Sequence, residues 1–218
     1  MIIVIEGTDG SGKQTQTKLL FEYLNLQGKN VKSISFPNYE RDSSFFVKKY
    51  LNGEFGDLNA LSPKQCSTFF AIDRFLTMKE YKEFLSDGGV LLLDRYVTSN
   101  MLHQATKIDD KTERVKFINW LEKFEYEDLG LPKPDITIFL DLKPEISKRL
   151  RESRGVLKVG GEKDIHEANS EYMKNCYERG LNLAKEKNWE IIKCYENDEI
   201  KTIEEIQVQI QNLILSTL

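Results

Sequence analysis

The sequence has little that would support a metal centre built from histidine and cysteine, since its 218 residues include only two histidines and three cysteines. Cys66, Cys176 and Cys194 lack the close spacing of zinc ligands, and pairing any two of them leaves an odd thiol. His103 and His166 are too few and too far apart in sequence to suggest a metal site. We therefore expect reduced, mostly buried cysteines in a cytoplasmic protein.

Long apolar runs and a basic excess are also missing. No apolar stretch approaches the roughly 20 residues that a membrane-spanning helix needs. The apolar start of the chain lasts only a few residues, which does not fit a secretory signal. The formal net charge of −4 argues against bulk nucleic-acid binding, which favours a basic surface. We expect no membrane or nucleic-acid partner, and one domain over residues 1–218.

Short apolar segments alternate with longer segments of helical periodicity. The strand candidates are 2–6, 31–36, 90–94, 136–141 and 190–195. The helix candidates are 13–26, 63–85, 111–127, 144–152, 165–187 and 200–215. Several strand candidates are apolar throughout, which is typical of parallel strands covered on both faces. The alternation predicts a three-layer α/β fold, a five-stranded parallel sheet with helices on both faces, whose ligands bind beyond the carboxyl ends of the strands.

A glycine-rich segment follows the first strand candidate and precedes a helix candidate. The ATP-binding candidates in it are Gly7, Thr8, Asp9, Gly10, Ser11, Gly12, Lys13, Gln14 and Thr15. Their spacing fits the phosphate-loop pattern G-x-x-x-x-G-K-[ST], except that Gln14 replaces the hydroxyl residue that helps hold Mg²⁺. In such loops backbone N–H groups, a lysine and a helix N-terminus surround anionic oxygens. The segment therefore predicts a nucleotide-phosphate site, and its alternative is a plain turn between strand and helix.

Asp94 and Arg95 end the most apolar strand candidate. A carboxylate at the end of a buried strand beside a phosphate loop is the usual source of a Mg²⁺-directed acid. The alternative is that Asp94 caps a helix that begins near Thr98. Because arginine offers a planar fork to phosphate, Arg95 favours the functional interpretation.

Phe70 and Arg74 lie four residues apart in a helix candidate and so share a face. An aromatic ring and a guanidinium on one face can hold a flat base by stacking and hydrogen bonding. A core phenylalanine beside an arginine in a surface ion pair is an equally good interpretation of this pair.

Basic residues and glycines concentrate in residues 149–167, beginning with Arg149, Arg151 and Arg154. At the ligand edge of the sheet this composition predicts a flap that closes on phosphates and excludes water. A solvated helix end followed by a flexible loop is the alternative.

These motifs together resemble those of thymidylate kinases, which are P-loop nucleoside monophosphate kinases. The resemblance covers most of the chain. It rests on the phosphate loop, Phe36-Pro37, Phe70 with Arg74, Asp94-Arg95-Tyr96 with Ser99, and the run Gly130-Leu131-Pro132-Lys133-Pro134-Asp135. It implies a P-loop NTPase fold, a homodimer, and phosphoryl transfer from ATP to dTMP with Mg²⁺ as cofactor.

The resemblance also implies residue roles. Lys13 would contact the ATP phosphates, and Asp94 with Gln14 would face Mg²⁺. The substrate-binding candidates are Asp9, Phe36, Pro37, Arg41, Phe70, Arg74, Arg95, Ser99 and Gln104. Phe70 would stack on thymine. Many relatives carry a catalytic arginine where this chain has Gly10, and relatives without it use flap arginines, which makes Arg149, Arg151 and Arg154 catalytic candidates alongside Lys13, Asp94 and Arg95.

Three positions depart from the family pattern. Gln14 lacks the expected hydroxyl, although its amide oxygen can face Mg²⁺ directly or through water. His103 stands where a tyrosine or phenylalanine usually closes the base pocket. Arg41 follows Phe36-Pro37 later than the phosphate-binding arginine of many relatives. Two alternatives stay open: a deoxynucleoside or other pyrimidine monophosphate kinase, and a non-catalytic nucleotide-binding switch.

Overall fold

The computed structural model describes residues 1–153 and 170–217, and it describes side chains for residues 1–149 and 170–217. The strands are β1 Ile2–Glu6, β2 Val31–Ser35, β3 Val90–Asp94, β4 Ile136–Asp141, β5 Glu190–Lys193, β6 Tyr195–Glu196 and β7 Glu199–Ile200. The first five form one parallel sheet in the order β2-β3-β1-β4-β5, and β6 and β7 form a short antiparallel hairpin. The predicted five-stranded parallel sheet is confirmed.

Helices connect the strands and cover the sheet. They are α1 Lys13–Leu26, α2 Phe45–Leu51, α3 Pro63–Met78, α4 Lys82–Ser86, α5 Val97–Thr106, α6 Lys111–Glu122, α7 Pro144–Ser153, α8 Ser170–Glu186 and α9 Ile203–Leu215. Short 3₁₀ turns span Asp42–Ser44 and Lys79–Tyr81, and a π-helical turn spans Lys123–Asp128. Within the described ranges, no helix is long and apolar enough to cross a membrane.

The two faces of the sheet carry separate cores because successive side chains of a strand point to opposite sides. Ile2 and Val4 of β1 pack in a cluster with Met101 of α5 and Phe117 of α6. The side chains between them pack instead with α1 and α9, in a second cluster that includes Ile3, Ile5, Leu20, Leu24, Ile206, Ile210 and Ile214. Burial on both faces accounts for the unbroken apolar sequence of β1 and β3.

The register of β1 and β3 brings the two predicted phosphate-binding segments together. Ile5 is paired with Asp94, so both strands end at the same edge of the sheet. The backbone N–H of Arg95 donates to the carbonyl of Ile5 over 3.1 Å, and that of Phe36 donates to the carbonyl of Asp94 over 2.9 Å. The segments that follow β1, β2 and β3 therefore form one continuous wall.

A buried ion pair joins α3 to the π-helical turn after α6. Arg74 donates from Nε and Nη2 to the two carboxylate oxygens of Glu125, each over 2.7 Å, and both side chains are almost fully buried. Asn100 of α5 donates to the same carboxylate over 3.0 Å, and Arg74 Nη1 donates to the carbonyl of Tyr96 over 3.3 Å. The π-helical turn is wider than an α-helical turn, and it places Glu125 against both α3 and α5. Such turns are frequent at functional sites.

We predict that Glu125→Ala lowers the free energy of unfolding by about 3–5 kcal/mol, because it leaves the Arg74 guanidinium buried without its counter-charge. Urea denaturation measures this loss as a lower midpoint at an unchanged slope.

The matched control is Asp128→Ala, which removes the partner of Lys123 in an exposed pair of the same π-helical turn. Exposed pairs contribute little, so this variant should unfold at the wild-type midpoint. Equal midpoints for the wild type and Glu125→Ala would show that the buried pair does not stabilise the fold.

Candidate active site

The loop between β1 and α1 has the backbone geometry of a phosphate cradle. Gly7, Gly10 and Gly12 all have positive φ angles, of 152°, 78° and 90°. A Cβ at Gly7 would lie 2.6 Å from Ser11 Oγ and 3.1 Å from the carbonyl oxygen of Leu140, so a larger residue cannot fit there without displacing the loop. The predicted loop residues therefore come together around a tightly curled backbone.

Lys13 is held inside this loop. Its Nζ donates to the carbonyl of Thr8 over 2.8 Å, and its side chain is buried. Burial and the nearby charge of Arg95 lower the pKa of Lys13, the carboxylates of Asp9 and Asp94 partly offset them, and the net pKa is about 8. The ammonium is therefore in an environment that favours a bound anion, which would restore its charge.

The first turn of α1 presents backbone N–H groups to the same space. Its capping residue is Gly12, which has no side chain to satisfy those donors, and no acidic residue lies in the turn. Orphan N–H groups at a helix N-terminus bind phosphate oxygens. Ser11 Oγ is buried and has no hydrogen-bond partner among the described residues, while Gln14 and Thr15 are exposed.

Asp94 has the features expected of a metal-directed carboxylate rather than of a helix cap. Helix α5 is capped at Tyr96 without a side-chain hydrogen bond, so Asp94 does not cap it. Asp94 is buried, and its Oδ1 has no hydrogen-bond partner among the described residues. A buried, unsatisfied carboxylate oxygen suits Mg²⁺, which takes one or two protein carboxylates and completes its shell with water and phosphate. Asp94 therefore fits the metal that the fold implies.

Arg95 lies at the centre of the polar contacts. Its backbone is in the left-handed region, with φ of 70°, which is uncommon for a residue with a side chain. Its Nη2 contacts Asp9, and its Nη1 lies 3.3 Å from Ser99 Oγ and 3.0 Å from His103 Nε2. Burial alone would lower the pKa of Arg95, but the carboxylates of Asp9, Glu6 and Asp94 raise it overall. The guanidinium is thus charged and held in one orientation.

Glu6, at the end of β1, contacts both Arg95 and the first turn of α5. It is not among the site residues predicted from the sequence. Its fully buried carboxylate accepts hydrogen bonds from the hydroxyls of Thr98 and Ser99, each over 2.8 Å, and from the backbone of Gly7 over 3.1 Å. It also lies 3.7 Å from Arg95 Nη1. A glutamate at the end of a fully buried strand could have been identified from the sequence as a candidate site residue, because a buried carboxylate needs hydrogen-bond donors or a counter-charge.

A cavity of about 320 Å³ opens beside Arg95 at this edge of the sheet. It is lined by Asp9, Ser35, Phe36, Pro37, Tyr39, Leu51, Phe70, Arg74, Arg95, Ser99, Asn100, His103 and Gln104. Its size suits a small ligand, and it combines aromatic rings with a few polar groups. The structure thus brings together every predicted substrate-binding residue except Arg41. Tyr39 and Asn100 are lining residues that the sequence analysis does not identify.

The two residues on α3 meet the cavity in different ways. Phe70 is partly exposed to it and packs edge-on against Tyr50, with ring centroids 6.1 Å apart. Arg74 is not the surface residue of the alternative interpretation, because its guanidinium is buried against Glu125. Arg74 lines the cavity, and its ion pair with Glu125 fixes the orientation of the guanidinium that a bound base would meet.

Arg41 points away from the cavity. It pairs with Glu80 through both guanidinium Nη atoms, with one contact of 2.6 Å, on the exposed surface. The loop after β2 is anchored separately by Asp73, which accepts from the backbone of Asn38 over 2.8 Å and from Ser43 Oγ over 2.5 Å. Asp73 therefore positions the loop after β2, and Arg41 does not line the cavity in this structure.

Of the predicted flap arginines, the side chain of Arg149 alone is described. It donates from Nη2 to the carbonyl of Asp198, in the turn between β6 and β7, over 2.7 Å. Lys143 donates to the carboxylate of the same residue over 2.5 Å. Arg151 lies in α7 but its side chain falls outside the described set, and Arg154 and most of 149–167 lie outside the described residues.

A larger cavity, of about 480 Å³, lies on the opposite side of α5 between α6 and α8. Two arginines line it, and both donate to backbone carbonyls at the end of α5 or just beyond it. Arg114 donates to the carbonyl of Ile108 over 2.7 Å, and Arg179 donates to that of Thr106 over 2.6 Å. Because arginines that bind the final carbonyls stabilise a helix end, these side chains have a structural role.

Several known proteins that resemble this chain are thymidylate kinases. The sequence model described as thymidylate kinase matches residues 5–206. A thymidylate kinase of Mycobacterium tuberculosis (strain ATCC 25618 / H37Rv) is 32% identical over 172 residues, which cover 78% of this chain and 79% of that protein. A thymidylate kinase of Plasmodium falciparum (isolate 3D7) is 31% identical over 210 residues, with 95% of this chain and 91% of that protein covered.

A solved structure has the same fold. The thymidylate kinase of Candida albicans, described as having broad substrate specificity, matches with a TM-score of 0.73 at 26% identity, covering 99% of this chain and 91% of that one. Family, relatives and fold agree with the site described above. The chain belongs to the thymidylate kinase family, whose enzymes transfer a phosphoryl group from ATP to dTMP.

Proposed function

We propose that the loop of residues 7–15 binds the ATP phosphates and that the cavity beside Arg95 binds dTMP. The observation that carries this proposal is the contact of Arg95 with Asp9, since it joins the wall of the cavity to the phosphate loop. Lys13, on the loop side, and Arg95, on the cavity side, then lie close enough for each to influence the other's charge. Two bound phosphates would meet between two fixed cations.

Positioning and charge neutralisation are the chemistry that this arrangement offers. ATP and dTMP are both anions and repel each other, and phosphoryl transfer needs them in line. Lys13 is buried and the side chain of Arg95 is only 16% exposed, so their charges act where solvent screening is weak. The reaction needs no nucleophilic side chain, because a phosphate oxygen of dTMP attacks the γ-phosphorus of ATP directly.

Phe70 and Gln104 are the proposed contacts to thymine. Phe70 presents a partly exposed ring to the cavity, and a planar base can stack on it. Gln104 is buried at the same wall, and its Oε1 has no hydrogen-bond partner among the described residues. The amide can turn so that its oxygen accepts from the N–H of the base, which would satisfy a buried polar atom.

Asp94 and Gln14 are the proposed metal-facing residues. Bound Mg²⁺ would neutralise charge on the ATP phosphates. The Asp94 carboxylate lies at the end of β3 beside the loop, and Gln14 is exposed in the first turn of α1, where its amide oxygen is available to the metal or to its water. The support for this pair is the unsatisfied Oδ1 of Asp94.

The flap arginines remain candidates for the catalytic charge that Gly10 cannot supply. Arg149 lies beside the β6–β7 turn at the ligand edge of the sheet, which supports a role on the ATP side. The roles of Arg151 and Arg154, and the cytoplasmic location, are proposed from the family resemblance.

A homodimer is also proposed, through the outer face of α3. Ile72 and Leu76 lie one turn apart on that helix and are 45% and 44% exposed. Exposed apolar neighbours on a helix that also carries cavity residues favour a second copy of the chain as the covering surface.

We predict that, in a coupled ADP-release assay, dTMP is the best acceptor in a panel of dTMP, dUMP, dCMP, dGMP and thymidine. Thymidine should not be phosphorylated, because it lacks the phosphate that Arg95 would hold. Removing Mg²⁺ with EDTA should abolish turnover. A protein that binds ATP and Mg²⁺ but phosphorylates no pyrimidine monophosphate would contradict the proposed function, and broad acceptance of the panel would resemble the C. albicans enzyme.

We predict that ATP binding at pH 8.5 takes up about 0.7 proton per site. The pKa of Lys13 in the free protein is about 8, so its amine is mostly neutral at this pH, and bound phosphates would raise that pKa and recharge it. Isothermal titration calorimetry in buffers of different ionisation enthalpy measures the uptake.

Lys13→Arg is the control for this measurement, because a guanidinium stays charged at pH 8.5 and has no proton to gain. Its binding enthalpy should not depend on the buffer. A buffer-independent enthalpy for the wild type would show that bound phosphates do not recharge a neutral Lys13.

We predict that Leu76→Glu sediments as a monomer while the wild type sediments as a dimer, since a carboxylate on an apolar interface must be desolvated. Val208→Glu is the matched control, because Val208 is an apolar residue on α9 of comparable exposure, at 53%. The proposed interface fails if Leu76→Glu remains dimeric or if the wild type is monomeric.

A further inference from the structure

His103 meets the side chain of Arg95 inside the cavity, at a position where the family resemblance implies a tyrosine or phenylalanine. The imidazole is 7% exposed and belongs to α5. Its Nε2 lies 3.0 Å from Arg95 Nη1. Guanidinium nitrogens can only donate hydrogen bonds, so Nε2 must be the acceptor and must carry no proton.

The other ring nitrogen faces α8. Nδ1 of His103 lies 3.7 Å from Cys176 Sγ, and the backbone carbonyl of His103 accepts a hydrogen bond from Tyr172 Oη over 2.8 Å. Burial raises the pKa of the Cys176 thiol to about 12, so the sulfur stays a neutral thiol that can accept from Nδ1–H. The surroundings thus match the neutral tautomer that leaves the Nε2 lone pair for Arg95.

Arg95 needs this acceptor because its other contacts restrain different atoms or are longer. Asp9 holds Nη2, whereas Nη1 has Ser99 Oγ at 3.3 Å and Glu6 at 3.7 Å. The contact with His103, at 3.0 Å, is shorter than either of these Nη1 contacts. A backbone in the left-handed region supplies no further restraint on the guanidinium plane, so the side-chain acceptors determine its orientation.

We propose that His103 is a positioning residue, whose neutral imidazole orients Arg95 for the phosphate of dTMP through the Nε2 lone pair. The inference rests on the proposed role of Arg95 in binding that phosphate. It adds a titratable group to the substrate site and so makes dTMP affinity depend on pH.

The direction of the pH dependence follows from the contacts. Protonation of His103 would place an N–H on Nε2, opposite the N–H of Arg95, and would set two cations side by side. Among the described residues, the other charged and titratable groups near this contact are Asp9, Glu6, Asp94 and Tyr39 around Arg95, and Tyr172 and Cys176 from α8. Acid should therefore release Arg95 and raise the KM for dTMP, because a protonated Nε2 has no lone pair to offer the guanidinium.

The substrate itself also titrates in acid, because the second pKa of a phosphate monoester is about 6. His103→Gln separates the two effects. Glutamine can place an amide oxygen near the position of Nε2, and it does not titrate. The ratio of wild-type KM to His103→Gln KM for dTMP, measured at each pH, cancels the titration of the substrate.

At pH 8 we expect the KM of His103→Gln for dTMP to stay within about threefold of wild type, and that of His103→Phe to rise about tenfold, as loss of a hydrogen bond to a charged group predicts. The kcat and the KM for ATP should change by less than about threefold in both variants. As the pH falls, the wild-type to His103→Gln ratio should rise above its value at pH 8, because only the wild type loses the Nε2 lone pair on protonation. A ratio that falls with acid, or a His103→Phe KM equal to wild type, would overturn the inference.

Two further measurements keep the outcomes distinct. If Arg95→Ala raises the KM for dTMP but the His103 variants do not, the inference is overturned while the role of Arg95 stands. If Arg95→Ala leaves that KM unchanged, both are overturned. ¹⁵N NMR of the histidine rings, assigned with a His166 variant because the chain has only two histidines, should show a non-protonated Nε2 at pH 8, and a protonated Nε2 would refute the proposed tautomer.

Discussion

The parallel pairing of β1 with β3 is the constraint on which the site depends. Because Ile5 lies opposite Asp94, the phosphate loop and the Asp94-Arg95 pair leave the sheet at the same level. Apolar burial on both faces of these strands fixes that register, since a slip of one residue would exchange the two cores. The packing of apolar side chains on the two faces of the sheet thus sets the distance between the charged groups of the phosphate loop and those of the Asp94-Arg95 pair.

Electrostatics then decides what this edge can bind. Three carboxylates, of Glu6, Asp9 and Asp94, surround the cations of Lys13 and Arg95, and they keep Arg95 charged despite its burial. Glu6 is already satisfied by hydroxyls and a backbone N–H, whereas one oxygen of Asp94 has no such partner among the described residues. A protein with a net charge of −4 can therefore bind two anions, because local geometry rather than total charge determines the field in the cleft.

The parts of this arrangement that follow local rules could be predicted from the sequence. Apolar runs of strand length gave the five strands, and Gly7, Gly12 and Lys13 gave the phosphate loop, because both signals lie within a few consecutive residues. Helix α5 was harder to predict. The sequence indicates this helix only as the one near Thr98 that Asp94 could cap. In the structure, however, α5 supplies Ser99, His103 and Gln104 to the cavity. Its buried polar side chains obscure the apolar periodicity by which helices are recognised.

Contacts between distant residues could not be predicted in this way. The pairing of Arg74 with Glu125 depends on the π-helical turn that follows α6, which is wider than an α-helical turn. No local pattern in residues 123–128 indicates that turn. The sequence could show that Arg74 shares a face with Phe70, but not that its charge is neutralised from the other side. That difference matters for function. Because Nε and Nη2 of Arg74 both donate to Glu125, the proposed contact with the phosphate of dTMP falls to Arg95, and the side chains that orient Arg95 gain corresponding importance.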